Sequence, residues 1–249
     1  MTAPCDSFPE GTPEVRAHRF RTRSAGILAL LGTVLTILSQ FLQQRAGLPR
    51  GDPLGAFEHI SGRPWFTAAF LGILGMLCWL VAFTAAGRAL RDPVSGSVAR
   101  MAEPLLTVAV VLFTVNYAHD GFSGGTLARQ WSTGNIETGT ATNDFRVVEV
   151  LVGGSSVASQ ALVGLALAVY ALAMLRSGQY SRVLSWTGLV STVGWFLVGS
   201  ALFLRLPGVS FELLLPFAGL ATVWVLGVGI TLVRRGFSDT SPGPSEPRP

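Results

Sequence analysis

Apolar residues in this chain fall in long unbroken runs, not in the alternating or one-sided patterns of soluble strands and helices. Six runs reach or approach the roughly 20 residues that cross a bilayer at about 1.5 Å per residue. They are Ala25–Leu42, Phe66–Ala86, Pro104–Ala118, Val147–Leu175, Val183–Leu204 and Leu213–Val233. The pattern predicts an all-α fold, a polytopic membrane bundle of six transmembrane helices. Its expected layout is a cytoplasmic N-terminal tail at 1–24, a transmembrane domain at 25–235 and a disordered cytoplasmic tail at 236–249. The last of these carries the run SDTSPGPSEPRP, a composition that cannot bury an apolar core.

Composition agrees with the pattern. Hydrophobic residues make up 49% of the 249 and charged residues only 13%, about half the share of a soluble domain. The mean hydropathy is +0.50. All 18 basic residues are arginine and none is lysine, which excludes a lysine Schiff base or general base. The arginines are scattered between apolar runs and not gathered with aromatics, so no nucleic-acid partner is expected. Cys5 and Cys78 lie in the tail and inside an apolar run, an arrangement that predicts no disulfide framework. Residues 1–24 are polar and proline-containing, and no small-residue cleavage site follows the first apolar run, which is therefore read as a retained span.

Charge sets the expected orientation. Twelve of the 18 arginines fall in the two tails and in the second and fourth connections, and six in the other three. Positive-inside bias then places both termini in the cytoplasm of a cell membrane. Trp65, Trp131 and Trp186 lie near predicted span ends, where indoles sit at headgroup level.

The chemistry worth testing gathers at the outer end of the third span. Asn116, His119 and Asp120 are spaced i, i+3 and i+4, so a regular helix would put them on one face. In the fourth span Glu149, Ser156 and Gln160 form a second polar stripe with Gly153. Packed together, these two helices would hold His119, Asp120 and Glu149 in an outward-opening pocket, with Glu58 and His59 of the first outer connection above it. Intramembrane ionisable groups are costly and face a bundle interior or a wet cavity. Desolvation raises a carboxyl pKa, which suits Asp120 or Glu149 to proton donation near neutral pH. His119 and Asn116 would orient them, and Trp131, Gln160 and Glu58 are candidate binding residues. His59 and His119 with a carboxylate match no standard metal spacing, so no metal and no cofactor are expected. A plainer reading of the same residues is structural. Asp120-Gly121 would end the helix, Glu149 would complement a helix dipole, and Arg129 or Arg146 would pair with the acids.

Several short motifs carry a resemblance. Asp120-Gly121-Phe122, the segment Leu127 to Trp131, the helix end Met174-Leu175-Arg176-Ser177-Gly178 and Trp186-Thr187-Gly188 resemble a group of small uncharacterised bacterial multi-pass membrane proteins of about six spans. That group pairs an outer Asp-Gly-Phe with a Leu-Arg-Ser-Gly helix end; Met174 departs from its usual Leu. The resemblance covers about residues 115 to 205 and implies topology, not activity.

The functional expectation is a multi-pass integral membrane protein that binds or passes a small apolar or amphiphilic molecule, with membrane lipid as its surroundings. The alternative is an integral-membrane enzyme acting on a lipid or isoprenoid, for example by proton-initiated cyclisation, with Asp120 and Glu149 as acid and base.

Overall fold

The computed structural model describes residues 13–44, 47–49 and 51–238. Residues 1–12, with Cys5, and positions 239–249 of the expected disordered tail lie outside them, whereas 236–238 of that tail are helical and continue the last long helix. Six long helices carry the fold: α1 (Pro13–Gln43), α3 (Trp65–Arg88), α4 (Pro93–Ala118), α6 (Thr138–Ser177), α7 (Arg182–Phe203) and α8 (Leu214–Ser238). Two short helices, α2 (Pro53–Ser61) and α5 (Gly125–Ser132), lie between them. A π-helical turn at His119–Gly124 joins α4 to α5. All six long segments are long and apolar enough to cross a membrane. The protein is a multi-pass membrane protein built as an all-α bundle.

Each long helix packs on the next, and the last closes on the first, so the helices form a ring in the order α1, α3, α4, α6, α7, α8. Close approach needs small residues, because lipid supplies no hydrophobic drive to bring helices together. A Cβ on Gly75 would sit 2.9 Å from the Gly32 carbonyl, and one on Gly26 would sit 2.7 Å from the Gly229 carbonyl. These two contacts lock α1 against α3 and α8. Inside the ring, Phe83 packs on Tyr170 and Trp224 with ring centroids 5.3 and 5.5 Å away. Outside it, Val34, Ile37, Phe70, Val81, Val111, Val190 and Val223 are exposed. An apolar belt of that extent on every face suits lipid, not water.

Local sequence fixes the ends. Asp92 and Asp52 each cap a helix that begins with proline, accepting from Ser95 N at 2.8 Å and Gly55 N at 3.1 Å. Proline lacks an N–H that this position would leave unpaired anyway. Ser181 caps α7 through Leu184 N. Gly178 ends α6 at φ 62°, a left-handed value that favours glycine.

The helices outrun the predicted spans. α1 begins at Pro13, inside what reads as a tail. α4 begins at Pro93 and carries Pro104 in its interior, where the sequence suggests a start. Hydropathy detects only the lipid-crossing part of a helix, whereas capping residues such as Asp92 set its true end. The connection at 43–65 contains α2, and the polar break after Ala118 stays helical through the π turn.

Candidate functional site

Both described chain ends lie at one end of the bundle, with Arg23 4.2 Å over the ring of Phe237. The opposite end is closed by a cap. Phe57 of α2 packs on Trp131 of α5 and Phe145 of α6, with centroids 5.5 and 4.9 Å apart. Ala56, Ile60, Trp65, Ala128 and Ala141 complete this second apolar cluster. Trp131 is therefore a half-buried part of the cap's core. Trp65 is buried too, at 1% exposure, and not at the lipid boundary. Of the three predicted interface tryptophans, only Trp186 is exposed.

Beneath the cap lies a polar network at the π turn. Gln43, fully buried at the end of α1, donates to Asp120 Oδ2 at 3.4 Å. The indole of Trp65 donates to the Asp120 carbonyl at 3.0 Å. His59 Nε2 stands 3.1 Å from the Gln43 carbonyl, which requires the tautomer protonated on Nε2. Arg63 donates to the His59 carbonyl and to Gln44 Oε1, both at 2.9 Å. One turn deeper, Gln40 donates to the Tyr117 hydroxyl at 3.1 Å.

The candidate residues are thereby distributed, not gathered. Asn116 is buried and faces α6, accepting from Ser155 Oγ at 3.3 Å, while Asp120 faces α1. The π turn beginning at His119 widens the helix, so the i, i+3, i+4 spacing no longer marks a single face. His119 is half-buried at the head of that turn. Glu149 is exposed on α6. Beside the expected stripe, it is Ser155 that bonds to α4, and Ser156 is half-buried. Gln160 turns to α7, where its Oε1 accepts from Trp195 at 2.8 Å. Glu58 is exposed on α2, and its backbone carbonyl accepts from Ser61 Oγ and Gly62 N. Among the described residues, neither Arg129 nor Arg146 forms an ion pair with Asp120 or Glu149, and no group of three His, Cys, Asp or Glu gathers that could hold a metal.

The sequence reading did not single out Gln40, Gln43 or Tyr117. The available signal was Gln40 and Gln43, three residues apart at the end of the first span, where polar side chains need partners.

Beside the cap runs a groove of about 400 Å³. Phe66 of α3 and Phe122 of the π turn form its floor, their rings edge to face at 6.3 Å. Thr126, Arg129, Gln130 and Asn135 form its polar wall. Phe122 is 71% exposed. The groove places an aromatic floor next to a guanidinium and an amide. No protein-family model, curated protein or solved structure matches this chain.

Proposed function

We propose that the protein binds an amphiphilic molecule drawn from the surrounding membrane in the groove beside its cap. The observation that carries this reading is the juxtaposition of exposed Phe66 and Phe122 with Arg129 and Gln130. An apolar chain would lie on the rings, and a polar or anionic head would meet the guanidinium, the mixed lining typical of such sites. The arginine bias supports a reading with this capped end outside the cell, and on that reading the amphiphile comes from the outer leaflet. The same proposal includes kinship with the bacterial six-span group, whose Asp-Gly-Phe here supplies Phe122 to the groove.

A lipid-transforming enzyme has less support. Asp120 is engaged from α1, and Glu149 is exposed on α6. An acid–base pair has to converge on one substrate atom.

Native mass spectrometry of the protein from nanodiscs tests the proposal, comparing wild type with Phe122→Ala and Arg129→Ala, and with Glu149→Gln as control. The expected result is a bound amphiphile in wild type and Glu149→Gln that is lost in the two groove variants. Identical bulk lipid in all four sinks the reading.

A further inference from the structure

A second cavity, of about 320 Å³, opens at the opposite end of the bundle, where the described chain ends lie. Its lining comes from α1, α8 and the two connections at that end. It contains Arg19, Arg91 and Arg235 together with His18, Gln179 and Tyr180, and no carboxylate among the described residues. Arg19 Nε is buried and has no hydrogen-bond partner among the described residues. Arg235 lies over the Tyr180 ring, 4.6 Å from its centroid, which fixes the guanidinium at the cavity wall.

Among the described side chains at this end, charge does not balance locally. The two acids whose side chains are described here are committed elsewhere. Glu103 binds Arg88 through both oxygens, at 2.9 and 3.2 Å. Asp92 caps α4 through Ser95 and faces Arg176. Three guanidinium groups around one space repel one another, and a buried guanidinium N–H without an acceptor is expensive. An anion in the cavity relieves both. Arginine forks match the oxygens of phosphate, and basic pockets between membrane helices suit phosphate headgroups. Burial pushes the Tyr180 phenol up to about 12, so it keeps its proton at neutral pH and adds a donor, not a charge. Leu232 and Ala89 supply an apolar side to the same cavity.

We propose that this cavity binds a phosphate-bearing anion gripped by Arg19, Arg91 and Arg235. The site lies at the other end of the molecule from the aromatic groove and does not depend on what that groove holds.

The test is thermal unfolding of the full-length protein in a neutral detergent. Phosphatidylglycerol is compared with phosphatidylcholine at equal mole fraction. Glycerol phosphate is titrated separately against chloride at constant ionic strength. A ligand that binds only the folded state raises the melting temperature with its concentration. The expected result is a rise with phosphatidylglycerol beyond that with phosphatidylcholine. Arg235→Gln and Arg91→Gln should each weaken the response about tenfold in ligand concentration, the loss of one charge-assisted contact. Arg91 is exposed, so its replacement leaves the packing intact even if Arg19→Gln fails to fold. Arg100→Gln, exposed at the same end and bonded to Ser97, should respond like wild type. A rise with phosphatidylglycerol alone assigns the phosphate to a lipid headgroup; a rise with glycerol phosphate as well assigns a soluble phosphate ester. Equal shifts with both lipids, an undiminished response in Arg91→Gln, an equal loss in Arg100→Gln, or no shift with any phosphate probe overturns the proposal.

Discussion

The indole N–H of Trp65 donates to the backbone carbonyl of Asp120 at 3.0 Å, tying the start of α3 to the π turn that follows α4. A π turn displaces carbonyls from the regular helical ladder, and in a membrane protein each displaced carbonyl needs another donor. Trp65 supplies that donor from a fully enclosed position. Trp65→Phe keeps most of the packing and removes the bond. It should cost about 1–3 kcal/mol, the usual penalty for a buried acceptor left unpaired. A melting temperature equal to wild type in detergent would show that water reaches the carbonyl and that the tie is dispensable.

Gly121 lets the same turn lie against α3. A Cβ at this position would overlap the Cβ of Ala69. Gly121→Ala should therefore destabilise by about 1–3 kcal/mol through overpacking. The double variant Gly121→Ala with Ala69→Gly moves the methyl from one helix to the other and should recover most of the loss. A double variant no more stable than Gly121→Ala alone would place the cause in the backbone of the π turn and not in the contact.

Asp92 gives a pH-dependent prediction. Its hydrogen bonds with Ser95 hold the carboxyl below the ordinary aspartate range. A depressed folded-state pKa means the contribution is present above the unfolded value and is lost as pH falls through the folded one. Asp92→Ala should melt below wild type at pH 7, and the gap should close only below about pH 4. A gap that is constant from pH 7 to pH 3 would mean that the cap does not act through its charge.

Orientation is open to direct labelling. In a background with Cys5 and Cys78 replaced, Thr133→Cys and Gly208→Cys place thiols at exposed positions of the capped end. An impermeant maleimide added to intact cells should label both. Labelling only after lysis would reverse the proposed topology and put the aromatic groove at the inner leaflet.

The fold was legible because lipid imposes its pattern one residue at a time. A helix crossing hydrocarbon must be apolar along its whole length, so Phe66–Ala86 announces a span without any knowledge of its neighbours. Helix ends were legible where one residue sets its own backbone, as Gly178 does with its left-handed φ. Asp92-Pro93 carried the same signal, but it falls outside the apolar run and so outside the predicted span.

The candidate site was legible only in part. Asp120 was singled out and does sit in a polar network, but its partner Gln43 lies 77 positions away and no spacing rule links the two. The grouping of Asn116 with Asp120 rested on a regular helix, and the π turn at His119 turned them to different neighbours. Gln160 looked toward the third span on the helical wheel, yet its amide meets Trp195 because α6 is long enough to pack on α4 and α7 at different levels.

By itself the sequence determined that this protein lives in a membrane and how many times its helices cross, because those follow from transfer of each residue into hydrocarbon. Only the tertiary structure decided that α2 and α5 form a cap, that Phe66 meets Phe122, and that Arg19, Arg91 and Arg235 share one cavity. Those relationships come from helix packing, in which the closing of α8 on α1 brings together residues more than 200 positions apart.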